Sequence, residues 1–212
     1  MSVCCLCSNL VSENSNEVWN RPLFESANFV VLPSLGSLVQ GWLLLVPKKH
    51  FICMGALPED LAREMEYMKR TITARLTLKY GEVCAFEHGP SALDHKVGCS
   101  VDHAHLHMVP VNFDLTCAAT RFMPPDAEWV EATWEDCRAA FEKREDYLYL
   151  EQPVGLGRIA IHSNFGSQIF RKAIASRLGV SGEFSWRDYP QVEVIEQTIR
   201  VLSSSAEQAI SG

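Results

Sequence analysis

The chain has 212 residues and 23.8 kDa, 47% hydrophobic and 21% charged, which is ordinary globular composition with enough length to bury roughly 70% of the extended surface. A formal charge of -7 and a pI near 5.5 argue against an extended nucleic-acid surface and leave room only for a local basic pocket. The longest apolar run, Trp42 to Pro47, is far short of a membrane span, and eight cysteines without a secretory leader pattern point to a reducing cytoplasm.

The first twenty residues are polar apart from Cys4-Cys5-Leu6-Cys7. Strand signals follow at Asn28 to Leu32, stopped by Pro33, and at Trp42 to Val46, stopped by Pro47. Ser34 to Gly41 connects them as a long hairpin loop. From Pro58 the period changes: Leu61, Met65, Met68, Ile72 and Leu76 recur at three and four, predicting an amphipathic helix over 58–79. Pro58, Glu59 and Asp60 suit its first turn, and Gly81 follows its end. Val83 to Phe86 is then a short strand, Glu87 to Gly98 a loop, and Val101 to Val109 a strand stopped by Pro110. The order strand, strand, helix, strand, strand predicts an antiparallel sheet with a helix on one face.

Beyond Pro110 the signals weaken. A linker with Pro124 and Pro125 leads to a helix around Thr133 to Lys143, then to strands at Tyr147 to Leu150 and Arg158 to Ile161. Further helices are expected at Ser167 to Leu178, capped near Ser163 or Asn164, and from about Pro190 to Leu202.

Chemistry concentrates in Asp102-His103-Ala104-His105-Leu106-His107-Met108-Val109. Alternation in a strand sends His103, His105 and His107 to one face and Ala104, Leu106 and Met108 to the other. Three imidazoles on one side serve no packing need, and imidazole can be base, acid, nucleophile or metal ligand near neutral pH. Two further neighbourhoods fit the same pocket: the cationic corner Pro47-Lys48-Lys49-His50, and Glu87-His88-Gly89-Pro90 running through Gly98-Cys99-Ser100. Lysines, backbone N–H groups, a hydroxyl and imidazoles are what a phosphoryl group requires. Lys48 and Lys49 are as readily explained as solvated surface charge, and His88 and His95 as solvent-facing loop residues. The triplet alone does not separate nucleophile from metal ligand.

The run His103-Ala104-His105-Leu106-His107-Met108-Val109 resembles the signature of the histidine triad superfamily of nucleotide hydrolases and transferases, His-φ-His-φ-His-φ-φ with φ apolar. Gly41-Trp42-Leu43-Leu44-Leu45-Val46-Pro47-Lys48-Lys49-His50 resembles that family's Gly-His-x-Leu-Val-x-Pro-Lys-x-His strand. The resemblance covers residues 4–110. It implies that His105 attacks an α-phosphorus to form a covalent nucleotidyl-histidine, that His107 donates to a phosphate oxygen or the leaving group, and that Ser100 and Cys99 lie near the phosphate. Trp42 stands where many members carry histidine, and Glu87 where many carry asparagine.

On this resemblance the fold class is α+β: a histidine-triad-like antiparallel sheet with a long helix packed on it over 1–112, and an α/β extension over 113–212 packed on that core. The implied substrate is a nucleoside phosphoramidate, phosphoanhydride or dinucleoside polyphosphate, with nucleotidyl transfer or a non-catalytic binding role as alternatives. Lys48, Glu87, Cys99, Arg171 and Phe29 are candidate substrate contacts. Arg171 suits a phosphate, a salt bridge to Asp188 being its plain alternative; Trp186 is read as core packing. Cys4-x-x-Cys7 is half of a tetrahedral zinc site. The resemblance completes it with His50 and His103, Cys5 being a substitute for Cys4, and implies a homodimer built on the long helix and an adjoining strand.

Overall fold

The computed structural model describes residues 4–11, 17–92 and 103–208. Its centre is one eight-stranded sheet in the order β1-β2-β3-β5-β4-β7-β8-β6, antiparallel throughout. The strands are β1 (Phe24–Glu25), β2 (Phe29–Pro33), β3 (Leu43–Pro47), β4 (Val83–Gly89), β5 (Leu106–Pro110), β6 (Val130–Ala132), β7 (Tyr147–Glu151) and β8 (Gly157–Ile161). The expected hairpin of β2 and β3 forms with Val31 opposite Leu45. The segment after Pro110 contributes three strands to the same sheet, because β7 pairs with the outer edge of β4 over five residues.

Two helices cover one face. α2 (Glu59–Tyr80) buries Met65, Met68, Ile72 and Leu76 on Phe29, Val31, Leu43, Leu45, Ala85, Leu106 and Met108. Its first turn carries Glu59 and Asp60, where acids offset unpaired N–H groups, and Gly81 ends it at φ +87°. α4 (Trp134–Glu142) lies on the far end of that face, over Tyr147, Tyr149 and Ile159. Its start is secured by reciprocal bonds between Thr133 and Asp136, a pairing worth about 1 kcal/mol.

The opposite face is covered in pieces. α1 (Cys5–Val11) places Leu6 and Leu10 on Val30, Leu32 and Val46. α3 (Leu115–Thr120) and α5 (Ile169–Arg177) pack on Trp42, Phe86, Val109 and Leu150. α6 (Val192–Gln208) closes the end of the molecule, its Thr198 hydroxyl accepting from the Gly41 N–H at 2.9 Å. No helix among the described residues is long and apolar enough to cross a membrane.

Several expectations change. Residues 5–11, given no element above, are helical, because Leu6 and Leu10, four apart, meet the sheet. Glu87, His88 and Gly89 extend β4 instead of opening a loop, since β7 supplies a partner strand. The hydrogen-bonded part of β5 begins only at Leu106; before it, the Ala104 N–H bonds to the Phe51 carbonyl at 2.7 Å. α5 starts from Gln168 in a left-handed conformation (φ 59°), not from Ser163 or Asn164. β6 and α3 are too short to carry a periodic signal.

Candidate active site and thiol–imidazole cluster

The alternation expected around the triad holds. Ala104, Leu106 and Met108 face α2 within the aliphatic layer, and the imidazoles take the other face. There His105 and His107 line one cleft, ring centroids 4.9 Å apart. α1 contributes Cys5, Leu6 and Asn9 to its walls, the turn Val18–Asn20 adds Trp19 and Asn20, and Leu32 and Leu44 come from the sheet. Arg171 of α5 and Trp186 close it from the segment beyond Pro110.

The two imidazoles are held in opposite senses. His105 Nδ1 lies 2.7 Å from the His103 carbonyl, so it carries the proton and donates, leaving the lone pair on Nε2. His107 Nδ1 instead accepts from the Trp42 indole N–H at 3.0 Å, which puts the ring proton on Nε2. That Nε2 is buried and meets no protein group among the described residues. Burial holds His105 below the usual imidazole range; burial first, then the nearby His105 ring and Arg171 guanidinium, hold His107 well below it. Both rings are therefore neutral at pH 7, one offering a lone pair and the other an N–H.

Arg171 is 1% exposed. Its Nε donates to the Phe184 carbonyl at 2.8 Å, another guanidinium nitrogen donates to the Gly36 carbonyl, and the group lies 4.8 Å over the Trp42 ring. Gly36, at φ +72°, is required here: a β-carbon would strike Arg171 and the Trp186 backbone. Phe86 stacks on His107 with centroids 4.6 Å apart. Beside them, His88 packs edge-on to Phe86 and Phe170, and burial pulls it down to about 3.

His103 turns to a separate group. Its Nδ1 is 3.5 Å from Cys4 Sγ and 3.4 Å from Cys7 Sγ, and Cys7 Sγ is 3.3 Å from His50 Nδ1. All four ligand atoms lie within 4.8 Å of one another. Donors bound tetrahedrally at zinc distances stand about 3.5 Å apart, so this set is close to one that a metal ion could occupy. His103 Nε2–H donates to the Pro47 carbonyl at 2.8 Å, the outer bond that fixes a ligating imidazole. Cys5 belongs to the cleft wall instead.

Residues 2–122 match the model of a family described as proteins similar to the CwfJ C-terminus. The chain belongs to that family. The run His103 to Val109, which carries the resemblance to the histidine triad superfamily, lies within that match. No curated protein matches. Among solved structures, a zinc-bound histidine triad family protein from Mycobacterium smegmatis is 20% identical, covering 66% of this chain and 94% of that one at a TM-score of 0.41. A hypothetical histidine triad nucleotide-binding protein from Sulfolobus tokodaii is 22% identical, covering 52% and 71%, also at 0.41. A uridylyltransferase is 10% identical, covering 90% and 91%, again at 0.41.

Not every candidate in this CwfJ-like chain reaches the cleft. Glu87 is on the α2 face, 1% exposed, accepting from the Met54 N–H at 2.6 Å and the Tyr147 hydroxyl at 2.5 Å. Burial pushes it up to about 7, and it does not line the cleft. Gly89 leaves the space that the Tyr147 ring fills. Phe29 also packs under α2; the cleft contact from β2 is Leu32, of opposite parity. Lys48 pairs with Glu25 at 3.2 Å and donates to the Ser26 carbonyl, away from the triad, and Lys49 lies over Phe51. His88 is buried, not solvent-facing, and Trp186 walls the cleft rather than filling core. Cys99, Ser100 and His95 lie outside the described residues. Trp19, Asn9 and Asn20 were missed; a lone tryptophan in a polar segment was the available signal.

Proposed function

We propose that this chain is a nucleotide hydrolase in which His105 Nε2 attacks the α-phosphorus of a nucleoside phosphate derivative. One observation carries the reading: His105 Nδ1–H is tied to the His103 carbonyl, so the remaining lone pair belongs to Nε2 of a ring that lines the cleft. His107 Nε2–H, neutral and without a protein partner among the described residues, supplies a donor for a phosphoryl oxygen. The adduct forms as the Nε2–P bond replaces the bond to the leaving group. Water then attacks phosphorus, and the electron pair of the N–P bond returns to the ring. Trp19 and Trp186 offer ring faces for the nucleoside beside Leu32 and Leu44.

Cys4, Cys7, His50 and His103 fit a zinc ion, and zinc there would pin α1, and with it Leu6 and Asn9 of the cleft wall. Stoichiometric zinc in the purified protein, lost in Cys7→Ser, tests this. A homodimer would use the outward side of α2, where Tyr67 and Leu78 are exposed, and not the edge of β4, which β7 occupies.

The deciding experiment is intact-mass detection of a nucleotidylated protein after rapid quench from a dinucleoside polyphosphate. The adduct should be absent from His105→Ala. Turnover persisting in His105→Ala rejects the assignment.

A further inference from the structure

Trp42 constrains which leaving groups the cleft can release, a conclusion that rests on His105 being the nucleophile. The indole nitrogen is a donor and never an acceptor. With that N–H 3.0 Å from His107 Nδ1, the lone pair of His107 must stay on Nδ1 and its only proton on Nε2. A second proton on Nδ1 would set two N–H groups head to head. The surroundings make this worse: Phe86 stacks on the ring, and the Arg171 guanidinium lies 4.8 Å over Trp42. Imidazole at position 42 could either donate or accept, and so could follow a change of protonation on His107. Indole cannot.

His107 can thus offer a hydrogen bond, but releasing the Nε2 proton would leave an imidazolate in a buried apolar site. A group that departs already stable as an anion needs only the hydrogen bond. A group that departs as an amine needs a proton in the same step. We infer that this cleft cleaves nucleoside phosphoanhydrides in preference to phosphoramidates, and that Trp42 is the positioning residue responsible.

In the anhydride reaction the His105 Nε2–Pα bond forms and the bond from Pα to the bridging oxygen breaks. The electron pair stays on that oxygen, which leaves as phosphate anion against His107 Nε2–H. His105 keeps its Nδ1 proton on the His103 carbonyl and is cationic in the adduct. Water then adds to Pα, the N–P pair returns to Nε2, and the proton of the water passes to solvent. In a phosphoramidate the departing pair falls on nitrogen, and His107 has no proton it can give.

The test compares kcat/KM for a dinucleoside tetraphosphate and a 5′-phosphoramidate of the same nucleoside. A series of nucleoside 5′-aryl phosphates with phenols of increasing pKa accompanies it. The wild type should favour the anhydride by a hundredfold or more and lose rate steeply along the aryl series. Trp42→His should shrink the preference at least tenfold and flatten the series. The 15N shifts of wild-type His107 should report an unprotonated Nδ1, a readout that packing alone does not set. Equal wild-type rates on both substrates with the His105 adduct present, or a protonated Nδ1, overturn the inference and leave the nucleophile standing. Neither adduct nor turnover with any probe overturns the underlying reading.

Discussion

The two faces of the sheet treat the polar side chains of β4 and β5 differently. Under α2, the strand residues Leu43, Leu45, Ala85, Leu106 and Met108 form a layer of aliphatic contacts, and the carboxylate buried there, Glu87, has a donor on each oxygen. On the other face, the same strands present His107 with an unmet Nε2 and His88 with neither nitrogen paired among the described residues. A buried polar atom with no partner costs about 1–3 kcal/mol. One face is arranged for stability. On the other, that cost is tolerated where a ligand would remove it.

The sharpest way to break this comparison is to mutate adjacent residues of the histidine strand. His105→Ala should lower turnover roughly a thousandfold or more while leaving the melting temperature nearly unchanged. Leu106→Ala, facing α2, should cost about 2–5 kcal/mol in denaturant unfolding with the adduct still forming in the folded fraction. If both variants lose mainly stability, the division between faces fails.

Glu87 and His88 are neighbours on opposite faces, and their titrations have opposite signs. Burial raises Glu87 from 4.5 to about 7, so its folded state is favoured at low pH and loses stability as pH rises through 7. Burial lowers His88 from 6.5 to about 3, so its contribution is present above 6.5 and disappears as pH falls toward 3. Between pH 4 and 8, Glu87→Gln should gain on the wild type by about 3 kcal/mol, measured as the change in their difference in unfolding free energy. His88→Gln should diverge from the wild type in the other direction, gaining toward acid. The smallest effect is expected at Lys48, whose ion pair with Glu25 is solvent-exposed. Lys48→Ala should cost less than about 1 kcal/mol and leave kcat/KM within twofold.

Much of the site was legible in the chain order. His105 and His107 could be placed together because period-2 alternation is local, with His103 turned instead to the thiols, and α2 because its apolar positions recur at three and four from Leu61 to Leu76. Cys4 and Cys7 with His50 and His103 followed from motif resemblance and come together in the fold. Glu87 was misplaced because its strand partner β7 lies some sixty residues away, and Phe29 because parity alone does not say which face is the cleft. For a residue in a strand, such as Phe29, a shift of one residue inverts the side it faces. Arg171 and Trp186 could be named but not located, since they reach the cleft across more than a hundred residues of separation from β3.

From its order of residues alone, the chain determines which side chains can do chemistry near neutral pH and which of them alternate along one strand. Spacing in a strand or helix is set by backbone geometry over a few residues. Only the tertiary structure decides which nitrogen of each imidazole holds the proton. That depends on whether a carbonyl, as at His105, or an indole N–H, as at His107, is brought within 3.0 Å by packing between distant segments.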